Sequence, residues 1–170
     1  MIYNFTYTPV IEQCKMLSSY EGRDYVNEKG ESMYLTVKIT EQDLPLLNTF
    51  ITQAVSTLEE RIARILIGTE RTQDGFTWEI RSEATRWNKN THLTQNLQEA
   101  IVGYVMMNWL AERKPSSVET YRNIWTGMSE MCIRNIFRKM PPARIRKPMG
   151  DIEETTVTYL PEKTEEGEES

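Results

Sequence analysis

Apolar side chains recur at three- and four-residue spacing through Leu93, Leu97, Ile101, Tyr104 and Val105, and the run 100–110 (AIVGYVMMNWL) holds one strongly polar side chain, Asn108. Met106, Met107 and Trp109 make its middle turns apolar nearly all round, which predicts a helix buried on more than one side. A membrane span needs about 20 consecutive apolar residues, and Gln98, Glu99, Glu112, Arg113 and Lys114 bracket this run too closely. The expectation is a core helix of a soluble protein, or one whose second face meets another subunit. It spans 93–114 and breaks at Pro115. Ser116, with Glu119 in capping-box spacing, restarts a second arm to about residue 139. That arm has Val118, Tyr121, Ile124, Trp125, Met128, Met131, Cys132 and Phe137 as its apolar side, and Pro141 and Pro142 end it.

Residues 2–9 alternate Tyr3, Phe5 and Tyr7 with Asn4, Thr6 and Thr8 up to Pro9, the pattern of a short edge strand. Ile11, Cys14, Met16, Leu17 and Tyr20 then mark a short amphipathic helix closed by Gly22. Turn residues at 27–30, followed by alternation of Met33, Leu35, Val37 and Ile39 with polar partners, predict a hairpin over 23–39. The clearest helical stripe is Leu47, Ile51, Ala54, Val55, Leu58, Ile62, Ile65 and Leu66, with Thr40 or Asp43 as cap and Gly68 as stop. Its opposite face (Gln53, Thr57, Glu60, Arg61, Arg64) reads as solvated. Asp74-Gly75 followed by Phe76, Trp78 and Ile80 predicts a second hairpin within 69–90.

These elements predict a mainly α fold with small β elements (α+β). It is a helical bundle built on an antiparallel αα-hairpin, with one or two short β-hairpins and a disordered acidic C-terminal tail. One helical domain with an N-terminal β-rich segment covers 1–148, and the tail covers 149–170.

Charge sharpens that division. Residues 151–170 hold eight acids against one base, Lys163, a local net of −7; taken from the total of −5, this leaves residues 1–150 at +2. The acidic balance therefore belongs to the tail, and the body is mildly basic. Within the tail, 155–160 (TTVTYL) has the composition of a strand that could add to a partner's sheet edge. The two cysteines, Cys14 and Cys132, lie far apart on apolar faces and read as inert thiols of a reducing compartment. The first ten residues carry no secretory pattern, so a cytoplasmic product is expected.

Candidate chemistry is sparse. The one histidine, His92, stands just before a helix without a second ligand or a nucleophile in range of its sequence. Glu12, Glu59, Glu60 and Glu99 read as carboxylates of solvated helix faces, and no glycine pattern of a phosphate loop occurs. No catalytic, cofactor-binding or metal residues are assigned, and an enzyme is not expected. The nine methionines read as core filling before an adaptable binding surface. The charged feature that stands out is Arg134, Arg138, Lys139, Arg144, Arg146 and Lys147, six bases with no acid over 134–150. It fits a docking element for a protein partner, or a non-specific DNA contact through phosphates. The long, apolar second arm of 93–139 does not suit a recognition helix.

The order of elements over 40–114 resembles the head-tail connector, or adaptor, proteins of tailed bacteriophages and prophages. In that family a first helix like DLPLLNTFITQAVSTLEERI leads through a β-containing connection to a second helix. In the second helix an alanine-led apolar run ends in an aromatic residue and a Glu-Arg pair, here Ala100, Trp109, Glu112 and Arg113. This chain departs from the common short form in its N-terminal β-rich segment and its C-terminal extension. The resemblance implies a structural virion protein that forms a homo-oligomeric neck ring below the portal, with portal and tail or stopper proteins as partners. It would reside in the host bacterial cytoplasm during assembly and then in the virion neck, away from membranes. The alternative is a small helical nucleic-acid-binding module using the basic strip 134–147.

Overall fold

The computed structural model describes residues 2–23, 25–81 and 90–137, with side chains of the last segment from His92 onward. In chain order the elements are β1 (Ile2–Thr6), α1 (Thr8–Gly22), α2 (Tyr34–Val37), a 3-10 turn (Glu41–Asp43), α3 (Leu44–Ile62), β2 (Leu66–Arg71), β3 (Gly75–Ile80), α4 (Asn90–Leu110) and α5 (Pro115–Phe137). The protein is mainly helical, with a three-stranded antiparallel sheet ordered β1-β3-β2, the fold class expected. The tail and the domain boundary at 148 lie outside the described residues.

The aromatic alternation of β1 does what its period dictates: Tyr3, Phe5 and Tyr7 are buried while Asn4 and Thr6 face outward. β1 is an edge strand, and Phe5 lies opposite Phe76 with ring centroids 5.1 Å apart. Pro9 does more than end the strand. It sits in the first turn of α1, where a missing N–H costs nothing.

α1 corrects the expected stripe. Its buried residues are Val10, Cys14, Ser18 and Gly22, whereas Met16 and Tyr20 are 64% and 74% exposed. Small residues four apart let α1 pack closely against its neighbours α2 and α4. Ser18 is satisfied there: its hydroxyl donates to the Lys15 carbonyl and accepts from the Ile39 amide, each at 3.0 Å. Gly22 does not close the helix with a left-handed turn. A Cβ there would stand 3.2 Å from both the Tyr34 carbonyl oxygen and the Val37 Cβ, so it is spacing that selects glycine.

The hairpin expected over 23–39 forms only its turn. Asn27 Oδ1 accepts from the Lys29 and Glu31 amides, Gly30 takes φ of 80°, and Val26 and Ser32 make a single bridge. What would be the second strand coils into α2. Of its four alternating apolar residues only Val37 and Ile39 are buried, and Leu35 is 82% exposed. The helical turn also presents the Val37 carbonyl, an acceptor that a strand partner would otherwise claim, to the buried indole N–H of Trp109 at 2.7 Å.

α3 carries the predicted stripe of Leu47, Ile51, Ala54, Val55, Leu58 and Ile62. The Asp43 carboxylate accepts from the Thr40 amide at 2.8 Å and the Thr40 hydroxyl at 2.7 Å, a capping box that closes the 3-10 turn leading into the helix. The helix stops at Ile62, six residues before the predicted Gly68. The Ile62 carbonyl accepts from the Ile65 amide, and Leu66 opens β2, where Gly68 marks an irregularity in register. The β2–β3 hairpin is the second one expected, with Phe76, Trp78 and Ile80 on the core.

α4 and α5 form the αα-hairpin. α4 packs on α1, α3 and α5, and Leu93, Leu97, Ala100, Ile101, Val102, Val105, Met106, Trp109 and Leu110 are buried, the many-sided burial its pattern requires. Pro115 is the first residue of α5, so Ser116 lies inside the first turn and Glu119 pairs with Arg122 at 2.8 Å instead of completing a capping box. α5 buries Tyr121, Trp125, Ser129, Cys132 and Ile136, while Met131 turns outward, 45% exposed. Gly103 faces the Trp125 backbone, whose nitrogen would stand 2.8 Å from an added Cβ.

Candidate interaction surfaces

The groups that could carry acid-base or nucleophilic chemistry are mostly committed to the fold. Glu59 accepts from the Trp78 indole at 2.9 Å and the Thr69 hydroxyl at 2.7 Å, and pairs with Arg71. Glu21 accepts from Lys114 Nζ at 2.7 Å, the Ser117 hydroxyl at 2.8 Å and the Tyr121 hydroxyl at 3.0 Å. Burial alone would raise each carboxyl. The donors around each outweigh it, Arg71, Thr69 and Trp78 for Glu59 and Lys114, Ser117 and Tyr121 for Glu21, and both carboxyls lie below their usual range. Neither partnership was foreseeable from local spacing, since Lys114 is 93 residues from Glu21. Glu12, Glu60, Glu99 and His92 are exposed, and burial pushes the Cys14 and Cys132 thiols up to about 12. Among the described residues no three His, Cys, Asp or Glu side chains are placed to hold a metal ion.

What the surface offers is contact area. An open groove of about 540 Å³ runs along α1, lined by Met16, Ser19, Tyr20, Arg23 and Tyr34. The Ser19 and Tyr34 hydroxyls share a hydrogen bond of 2.8 Å, and Lys38 Nζ lies 5.5 Å above the Tyr34 ring. The Ser19 hydrogen bond and the Lys38 charge lower the Tyr34 phenol from its ordinary value. Of the exposed apolar side chains, Met16 and Tyr20 line this groove; Leu35 on α2 and Val26 in the loop before it are also exposed. Periodicity missed it because Met16 and Tyr20 read as core. A further exposed apolar side chain, Ile2 at 62%, lies on the outer sheet face in a depression with Glu70, Thr77 and Glu79.

The residues carrying the resemblance divide. Ala100 and Trp109 are core, Glu112 is exposed, and the Arg113 guanidinium lies 3.6 Å from the Trp109 ring centroid while donating to the Trp109 carbonyl. Glu112 and Arg113 join Leu46, Phe50, Asn108 and Ala111 in a smaller groove between the start of α3 and the end of α4.

Of the basic strip, Arg134 is exposed in the last turn of α5; Arg138, Lys139, Arg144, Arg146 and Lys147 lie outside the described residues. The fold gives Arg134 company from another helix. Arg61 donates to the Ser129 hydroxyl at 3.0 Å and Arg64 lies 5.6 Å from the Phe137 ring, so the C-terminal ends of α3 and α5 run side by side. Arg81, whose amide donates to the Ile65 carbonyl, stands at the same end. Glu60, Glu79 and Glu130 share this end, and bases in the last turns of helices also offset the negative pole of the helix dipole.

No helix among the described residues is long and apolar enough to cross a membrane. Comparisons with protein-family models, with curated proteins and with solved structures give no match.

Proposed function

We propose that this chain is a structural subunit of the head-tail connector of a tailed phage or prophage, assembling as a ring below the portal through protein-protein contacts. The observation that carries the reading is the groove along α1, where Met16 and Tyr20 present apolar side chains to solvent at 64% and 74% exposure. Such groupings mark contact surfaces. The order of α3, the β2–β3 hairpin and the αα-hairpin arm α4 is the order on which the resemblance rests. On this reading the partners are further copies, the portal and a tail or stopper protein, and the protein passes from the host bacterial cytoplasm into the virion neck. It catalyses no reaction.

The test begins with the DNA flanking the reading frame, which should encode packaging, portal and capsid proteins. Co-expression with that portal should then give a ring on the portal by negative-stain electron microscopy. Removing residues 140–170 should leave the helical circular dichroism intact and abolish docking. Metabolic or regulatory neighbours, or a truncated chain that docks normally, count against the proposal.

A further inference from the structure

Two exposed apolar regions lie on different elements, and their charges are opposite. The first is the α1–α2 groove, lined by Met16, Tyr20 and Tyr34, with Met16 and Tyr20 exposed. Its nearest bases are Arg23, which lines it, and Lys38, which lies over Tyr34. The acids around it are Glu41, paired with Lys15 at 2.5 Å, and Glu12, one helical turn before Met16. The second is the outer face of the sheet, opposite the face that buries Phe76, Trp78 and Ile80. There Ile2 is exposed, and Gly68, Thr69, Glu70, Thr77 and Glu79 line a shallow depression with it. Glu70 lies opposite Thr77 and Gly68 opposite Glu79, so register places both acids on this outward face. Arg81 follows at its end, and Arg71 is turned away, bound to Glu59 on α3.

We infer that the α1–α2 groove of one copy receives the outer sheet face of a second copy. Aliphatic Ile2 meets Met16 and Tyr20, and Glu70 and Glu79 meet Arg23 and Lys38. Charge complementarity selects this occupant: a groove-to-groove pairing would oppose Arg23 and Lys38 to their own copies, and sheet-to-sheet would oppose Glu70 and Glu79. Because the two surfaces differ, the contact is heterologous. The pair keeps one free groove and one free sheet face, so association continues past a dimer into a ring or a filament. The inference deepens the multimer reading above by naming the faces that meet, yet it requires no portal.

The faces can be separated by sedimentation of two full-length variants. Tyr20→Ser with Arg23→Ser and Lys38→Ser removes the groove and leaves the sheet face; Glu70→Lys with Glu79→Lys does the reverse. Circular dichroism establishes that each is folded. Each alone should remain a monomer at concentrations where the unaltered chain forms species larger than a dimer, and their mixture should form a dimer and nothing larger. Should self-association be too weak to sediment, Tyr20→Cys in one copy and Ile2→Cys in another should couple through a short bis-maleimide, with neither coupling to itself. Multimers that persist in either variant, a Tyr20→Cys chain that couples to itself, or no coupling in the mixture would overturn the inference. A portal-bound ring formed unchanged by both variants would sink it while leaving the connector reading in place. Head-to-tail assembly of a chain encoded among metabolic genes would do the opposite.

Discussion

A Cβ added at Gly75 would lie 2.1 Å from the Phe5 carbonyl oxygen, a backbone atom that cannot step aside without breaking the β1–β3 pair. Gly75→Ala should therefore cost at least about 2 kcal/mol, read from the urea midpoint. Gly127 is the opposite case. It lies within α5 with nothing within 4 Å of an added Cβ, so Gly127→Ala should stabilise by up to about 1 kcal/mol through helix propensity. A destabilised Gly127→Ala protein would mean that the α5 surface is not open at this point. The two thiols offer a second measurement at this scale. With Cys14 and Cys132 raised to about 12 by burial, alkylation by iodoacetamide at pH 8 should be slower than in unfolded protein by about a thousandfold, and urea should restore it. Rapid labelling of native protein would contradict the burial of α1 and α5.

At the scale of elements, legibility depended on which residues each helix buries. The α3 stripe could be read because its buried residues are also its large apolar ones, from Leu47 to Ile62. α1 buries Val10, Cys14, Ser18 and Gly22, and a hydropathy pattern weights Met16 and Tyr20 above them. The same inversion hid the candidate site, since an apolar residue on a contact surface looks like core until the core is known to be elsewhere. Arg134 was legible as a base, but that Arg61 of α3 and Arg64 just after it reach the same helix, at Ser129 and Phe137, is set by tertiary packing. The hairpin over 23–39 failed for a related reason: alternation records side-chain polarity, while the Trp109 indole decides where the Val37 carbonyl must point. The inverted faces of α1 can be tested by substitution. Ser18→Ala leaves the Ile39 amide without its acceptor in the core and should cost about 1–3 kcal/mol. Met16→Gln, measured in dilute protein, should change stability by less than about 0.5 kcal/mol. The reverse ranking would restore the stripe of Met16 and Tyr20 to the core.

Across the whole molecule, Glu21 and Glu59 hold separate joints. Glu21 ties the end of α1 to the turn between α4 and α5, and Glu59 ties α3 to the β2–β3 hairpin; no donor is shared. Both carboxyls are lowered in the folded protein by hydrogen bonds and charge that outweigh burial. The unfolded chain therefore takes up protons first as pH falls, and the stabilisation is complete above the ordinary carboxylate value of 4.5 and lost as pH drops through the lower folded values. Asp43, lowered chiefly by its bond from the Thr40 side chain, acts with the same sign. Glu21→Gln and Glu59→Gln should each destabilise the protein at pH 7, by about 1.5–3 kcal/mol per network of charged hydrogen bonds. Because the two sites have no partner in common, the double variant should lose close to the sum. It should also show a shallower fall in urea midpoint below pH 4.5 than the unaltered chain, with the remainder belonging to Asp43 and other acids. A double variant as acid-sensitive as the original would place the titrating groups elsewhere. A strong departure from additivity would mean that the sheet-side and hairpin-side joints open together, and that the core between them transmits the loss of one to the other.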